Sequence, residues 1–483
     1  MTDRPQGHGE VELKFELDRR AAKKARRHPL LADSSSQTRS IRSVYFDTNK
    51  GKVHKAGYSL RVRQDEDDRC TQTVKTNGGG AGLFDRGEWE APVDHLAPDR
   101  KALRRTPLGK LKKLDQELEP TVCSAVERTT WLIERDGSLV EVVLDSGTIS
   151  AGDQNEAFHE LELELRDGPA DVMFGLAQQL ADAIVLEIGV LSKEERGRML
   201  AEGAFDHEQR ASEPGIRRDL NVAQAFALIV HECVRHFRLN QALIIAERDP
   251  EALHQARVAI RRLRTAFSLF RPAIRQASLE PLRRDLKDFI EPFGEARNLD
   301  VFLDRRADEL GWRDRRKLKS ARDDAYDRVI ESLSHPRSRS MLLDLVQWTA
   351  SPDWQKKSAS GPIEKFAAMQ LDAVWKKVGA RASRVGDLRE KELHRLRIDI
   401  KKMRYAVEFL APLYRRKKTR RFGASLESMQ DCLGLIHDDM VSRQIVADFG
   451  LGEAGRAEAV SRTRQLRKLD RRFRRLKRDS RFW

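Results

Sequence analysis

The strongest constraint on this chain is the parity of its charged residues. Glu10-Val11-Glu12-Leu13-Lys14 puts Glu10, Glu12 and Lys14 on one face of an extended strand, with Val11, Leu13 and Phe15 on the other. Tyr58–Arg63 sets Arg61 and Arg63 against Leu60 and Val62, and Thr71–Thr76 groups Thr71, Thr73 and Lys75. Arg86, Glu88 and Glu90 alternate, the run 126–134 carries Arg128, and Glu141 aligns with Asp145. His159–Leu165 opposes Glu160, Glu162 and Glu164 to Leu161, Leu163 and Leu165. Short strands broken by turns predict an antiparallel sheet or barrel.

An ordinary solvated face mixes Thr, Ser, Lys and Glu, whereas some faces here carry only bases and others only acids. Closing about eight strands gives an interior narrow enough for side chains to fill. Carboxylates facing Arg and Lys there are costly to desolvate unless paired or occupied. A divalent cation on the acids and a phosphate chain on the bases satisfies both. Oxygen ligands favour Mg²⁺ or Mn²⁺ over zinc, whose His and Cys partners are missing from these runs. No Ser, Cys or His stands out as a nucleophile, and His159 falls on the apolar side of its strand as a structural residue. Residues 170–188 read as an amphipathic helix and 19–31 as a shorter one.

At 483 residues the chain exceeds one core, and its net charge of +15 is unevenly spread. Residues 1–210 hold 32 basic and 38 acidic side chains, a balance of −6, which leaves +21 for 211–483. That asymmetry predicts two domains, the second meeting a polyanion. No apolar run reaches membrane-spanning length, and residues 1–9 lack an apolar signal core. Cys70, Cys123, Cys233 and Cys432 are too scattered for a zinc or redox motif, so the expected compartment is the cytoplasm.

Ala211-Ser212-Glu213-Pro214-Gly215 reads as a linker, and beyond Asp219 the pattern is helical almost throughout. This half repeats itself at an offset of 140. His254, Arg257, Arg261, Arg262 and Arg264 correspond to His394, Arg397, Lys401, Lys402 and Arg404. Gly294, Arg297, Asn298 and Val301 correspond to Gly434, His437, Asp438 and Val441. The expectation is two similar helical bundles about a pseudo-twofold axis. His254, Arg257, Arg261 and Arg264 form one helical stripe, as do His394, Arg397, Lys401 and Arg404, and two facing stripes make a groove for a long anion. The tail Arg462–Trp483 reads as a mobile basic segment or an extension of that surface.

Glu10-Val11-Glu12-Leu13-Lys14 resembles the ExExK signature of CYTH domains, the triphosphate tunnel metalloenzymes, and the later charged runs fall in that family's order. The resemblance covers 8–203 and implies an eight-stranded antiparallel tunnel with helices (α+β), similar to bacterial inorganic triphosphatases. It implies metal ligation by Glu10, Glu12, Asp145, Glu160 and Glu162, with Glu164 and Glu88 as second candidates. It implies triphosphate binding by Lys14, Arg61, Arg63, Lys75, Arg86, Arg128 and Lys193, with Glu12, Lys14, Arg61 and Arg63 at the reaction centre. The helical half, 218–455 beyond a 204–217 linker and before a 456–483 tail, resembles the CHAD domain. That implies an all-α fold binding inorganic polyphosphate through the two basic stripes, and association with polyphosphate granules. Asn298 stands where that family's motif has Asp.

The expected activity is metal-dependent hydrolysis of inorganic triphosphate to pyrophosphate and phosphate. A thiamine triphosphatase, an adenylate cyclase, or a catalytically inactive polyphosphate-binding module remain alternatives. With 6% aromatic residues, few among the basic stripes, the chain offers little for stacking nucleic-acid bases.

Overall fold

The computed structural model describes residues 8–77, 80–111, 114, 118–451, 461–478 and 481–483, with backbone only for 8–10, 84–86 and 352. The chain divides into two compact units, Met1–Gln209 with Pro336–Gln347 and Arg210–His335 with Trp348–Trp483.

The first unit is an antiparallel sheet of strands β1 (His8–Leu17), β2 (Ser36–Thr48), β3 (Tyr58–Gln64), β4 (Cys70–Thr76), β5 (Leu83–Val93), β6 (Leu118–Arg135), β7 (Ser138–Ala151), β8 (Gln154–Asp167) and β9 (Glu187–Ile188). The order is β5-β4-β3-β2-β6-β7-β8-β1, and β1 pairs back onto β5, which closes the eight-stranded tunnel. The ninth strand was not expected. The helix over 170–188 stops at Ala183, where Ile184 turns extended, and the chain returns as β9 beside Phe15 and Glu16 of β1. Pro29 likewise divides the early helix into Arg19–Ala25 and Pro29–Ala32.

Register carries the parity rule around the sheet. Lys14 lies opposite Glu162, Asp145 opposite both Glu160 and Arg128, Arg61 opposite Thr73, and Lys75 opposite Glu88. The fold therefore turns its charges inward and its apolar residues outward. Leu60, Val62 and Val74 pack under Leu103 and Leu108. Leu13, Leu144, Leu161 and Leu163 are buried on the same outward parity, and the helix Asp171–Ala183 contributes buried Met173, Phe174 and Leu180.

The second unit is all helical apart from two isolated bridges among the described residues. The 140-residue offset is visible in its helix starts: Pro250–Leu269 answers Glu390–Leu410, and Gln276–Ile290 answers the start of Arg416–Asp448. Pro292 interrupts the first copy, giving a separate helix Pro292–Arg306, whereas Cys432 at the matching position lets the second run on. The copies exchange backbone hydrogen bonds, Val222 N–H donating to Gly361 at 3.0 Å and Ile363 N–H to Leu220 at 3.2 Å. The tail is ordered as a helix, Arg462–Arg478, because Leu469, Phe473 and Leu476 are buried along one side and Phe473 meets Trp375. No helix among the described residues is long and apolar enough to cross a membrane.

Candidate functional site: a charged tunnel and a basic cavity

The tunnel encloses a cavity of about 210 Å³. Apart from Val143, every described residue lining it is charged or carries a hydroxyl. One wall, from β7, β8 and β1, is acidic at its base. Carboxylate oxygens of Asp145, Glu160 and Glu162 lie within 4.8 Å of one another, and Asp145 and Glu160 are fully buried. Two ammonium groups enter this cluster. Lys193 Nζ lies 2.6 Å from Glu160, 3.0 Å from Asp145 and 3.3 Å from Glu162. Lys14 Nζ lies 2.9 Å from Glu162 and 3.4 Å from Glu160. Ser192 caps the helix Lys193–Ala201 through a reciprocal pairing with Glu195, which fixes where Lys193 starts. Arg128 grips Asp145 with two bonds of 2.7 Å.

The opposite wall, from β3 and β4, is basic and poor in partners. Arg61 reaches Thr73 Oγ1 at 3.4 Å, and among the described residues the buried Nε of both Arg61 and Arg63 has no hydrogen-bond partner. Lys75 pairs with Glu88 at 3.2 Å. The charges of Arg61 and, after burial, Arg128 press the Arg63 guanidinium down to about 9. On the acidic wall burial pushes Asp145 up, but Lys193 and Arg128 outweigh it and hold the carboxyl at about 2. Glu162 is likewise held well below its ordinary range, burial being overcome by Lys193, Lys14 and Arg128. One Glu160 oxygen, Oε1, is buried without a partner. Three clustered carboxylates, one with an unused buried oxygen, fit a hard divalent cation.

In the second unit the two stripes face a common cavity of about 740 Å³. His254, Arg257, Arg261 and Arg264 line it together with His394, Arg397 and Lys401. Residues matched by the offset also meet there: Arg297 with His437, Asn298 with Asp438, and Val301 with Val441. Burial, then Arg261 and Arg397, drives the Lys401 ammonium down to about 6. Burial and the neighbouring Arg297, Arg261 and Arg257 take His254 to about 3. Arg257 falls to about 10, through burial, Arg261 and Arg297. The downward shifts of His254, Arg257, Arg397 and Lys401 report a site with surplus positive charge.

The family model for the CYTH domain matches residues 8–197, and that for the CHAD domain matches residues 228–447. This chain joins a CYTH domain to a CHAD domain. It is 32% identical over 166 residues to the inorganic triphosphatase of Haemophilus influenzae, a match covering 34% of this chain and 46% of that protein. The chain thus spans about half the length of that curated relative. Among solved structures, the CHAD domain of the plant Ricinus communis is 27% identical, with a TM-score of 0.48 over 57% of this chain and 98% of its own. A putative adenylyl cyclase from Hippeastrum, described as having a dominant triphosphatase activity, is 17% identical, with a TM-score of 0.32 over 39% of this chain and 95% of its own.

Within the CYTH domain the cavity gathers Glu12, Lys14, Arg61, Arg63, Lys75, Glu88, Arg128, Glu162, Glu164 and Lys193, with Asp145 and Glu160 at its base. The side chains of Glu10 and Arg86 lie outside the described residues; their backbones are partners across β1 and β5. Sequence reasoning missed Arg166, which lines the cavity and pairs with Glu164 at 2.6 Å and Glu141 at 2.8 Å. Extending the 160-162-164 parity by one step finds it. Glu194, at the tunnel mouth, pairs with His54 at 3.7 Å, and no sequence pattern joins those two. His159 bonds Ser146 at 3.0 Å, away from the cavity.

Three of the expected stripe residues lie outside the lining of the central cavity. Arg262 points into the core, 2.5 Å from Glu408 and stacked over Phe409, because a residue adjacent to the stripe faces a different neighbour. Arg404 keeps the helical spacing but does not line the cavity, being drawn to Glu408 at 3.5 Å and Glu427 at 3.9 Å. Lys402 lines an adjoining groove rather than the central cavity. The segment Gly294–Asp300 is helix rather than turn, with Asp300 buried and accepting bonds from Arg322 and Tyr326.

Proposed function

We propose that the CYTH domain hydrolyses inorganic triphosphate to pyrophosphate and phosphate, and that the CHAD domain binds inorganic polyphosphate. On this reading residues 8–203 form the tunnel, 204–217 the joint, 218–455 the polyphosphate-binding domain and 456–483 a basic extension. The observation that carries it is the opposition inside the tunnel of partner-poor arginines and clustered carboxylates. A linear anion with bound metal satisfies both walls together.

Arg61, Arg63 and Lys75, joined by Arg86, hold phosphate oxygens along the basic wall. Lys14, Arg128 and Lys193 touch the acidic wall while reaching the cavity, and so align the anion against it. Glu10, Glu12, Asp145, Glu160 and Glu162 are the residues to hold Mg²⁺ or Mn²⁺. When bound, such a cation offsets charge on the transferred phosphoryl group and acidifies a water nucleophile. Among the described residues the lining offers one aromatic ring, Tyr45, amid many charges, which favours the bare anion. Polyphosphate binding would tether the chain to polyphosphate granules.

The test is phosphate release from inorganic triphosphate, with and without Mg²⁺ or Mn²⁺, beside ATP, thiamine triphosphate and long-chain polyphosphate. Cleavage of triphosphate that requires metal and is lost in Glu12→Gln supports the reading. A chain that cleaves none of these substrates ends the enzymatic half of it.

A further inference from the structure

A groove of about 670 Å³ continues from the central cavity and shares Arg257, Arg261, Arg264, Ile398 and Lys401 with it. Its outer wall is the helix Gln276–Ile290. That helix buries Leu279, Leu282, Leu286 and Phe289 and turns Arg283, Arg284 and Lys287 into the groove, while Asp285 and Asp288 are absent from the lining. Nine cationic side chains line the groove against the single carboxylate of Glu280.

The 140-residue offset separates what the fold needs from what it does not. Leu282, Leu286 and Phe289 map onto Phe422, Leu426 and Met429, all buried, so the packing positions stay apolar in both copies. Arg283, Arg284 and Lys287 map onto Gly423, Ala424 and Glu427, so the cations are not required to build the helix. The second copy also cancels charge. Arg404, the counterpart of Arg264, is paired with Glu427 and Glu408, which stand where the first copy has Lys287 and Ser268. The second copy carries its cations elsewhere on the matching helix, at Arg416, Lys417, Lys418, Arg420 and Arg421, so the first copy is set apart by the groove its cations line.

We infer that a phosphate chain held in the central cavity extends along the helix Gln276–Ile290, with Arg283, Arg284 and Lys287 as additional phosphate-binding residues. This rests on the polyphosphate-binding reading of the domain. Binding then has two parts: a central cavity that any oligophosphate can occupy, and a track that only a longer chain reaches. The track binds through phosphate oxygens and has no means to read a base.

The experiment compares the full chain with an Arg283→Gln/Arg284→Gln/Lys287→Gln variant, all three sites being exposed. Each is titrated in chelator with a short oligophosphate and with long-chain inorganic polyphosphate over a range of salt concentrations. The expected result is roughly a tenfold loss for the long chain, a salt slope shallower by about two, and unchanged affinity for the short one. Equal loss for both lengths, or no loss for either, overturns the track while leaving polyphosphate binding standing. If the unsubstituted chain binds neither length, the underlying reading fails and the track with it.

Discussion

Lys401 has more positive charge around it than one ammonium tolerates. Its value of about 6 follows from burial and then from Arg261, Arg397, Arg404 and Arg257. A polyanion in the cavity reverses those causes, so binding takes up a proton when the pH lies above 6. Polyphosphate affinity should therefore be greatest at or below pH 6 and fall by roughly tenfold or more towards pH 8. Calorimetry in buffers of different ionisation enthalpy reads the proton directly, and Lys401→Arg should flatten the profile. Asp145 makes the opposite argument about stability. Its carboxyl is held at about 2 in the folded chain against an ordinary 3.8. The stabilisation is thus present above pH 4 and drains away as pH falls towards 2, by about 2 kcal/mol. Urea unfolding at pH 5 and pH 2.5 should show that loss, and Asp145→Asn should remove it. At pH 7 the same substitution should cost about 3 kcal/mol, because Arg128 and Lys193 then face too few carboxylates. Parity made most of the tunnel lining legible in the sequence, since a period of two assigns each strand residue to a face. Arg262 was not legible, because its fate depends on Glu408, which reaches it only once two helices meet, whereas Arg404 and Glu408 are an i, i+4 pair within one helix.

Among the elements, β6 and β7 approach most closely at Gly147. A Cβ there would overlap the Ala125 carbonyl and the Val126 backbone, neither of which can swing aside. Gly147→Ala should destabilise the tunnel by about 2 kcal/mol, read as a lower denaturant midpoint with lost triphosphate cleavage. The strands and long helices were legible because their periods persist over many residues. Two elements were not. β9 is two residues long, too short for any period, and exists because Gly189 and Gly82 bring the chain back against Lys14. The tail helix has so many cations that its Leu469, Phe473 and Leu476 seam is hard to see until Trp375 is beside it.

For the molecule as a whole, the uneven charge means that the two activities should respond differently to salt. Log affinity for long polyphosphate should fall steeply and linearly with log salt, as for any site that displaces condensed counterions. Cleavage in the enclosed tunnel, whose charges sit largely out of solvent, should depend on salt far less. Binding and turnover measured on one preparation across a salt series test this. The two-part division was legible in the charge balance and in the switch from period two to helical spacing. The groove along Gln276–Ile290 was not, since it shows only once that helix is packed beside the central cavity. The place of β1 has a further consequence. It precedes every other strand of the tunnel, yet its neighbours are β5 and β8, so the contact between Lys14 and Glu160 waits for nearly 150 more residues to be made. Until β8 emerges, the edge of β1 that it will cover stays unpaired. Tunnel formation should accordingly be a late, slow, single step in biogenesis, and β1 its point of greatest exposure to aggregation and to chaperones.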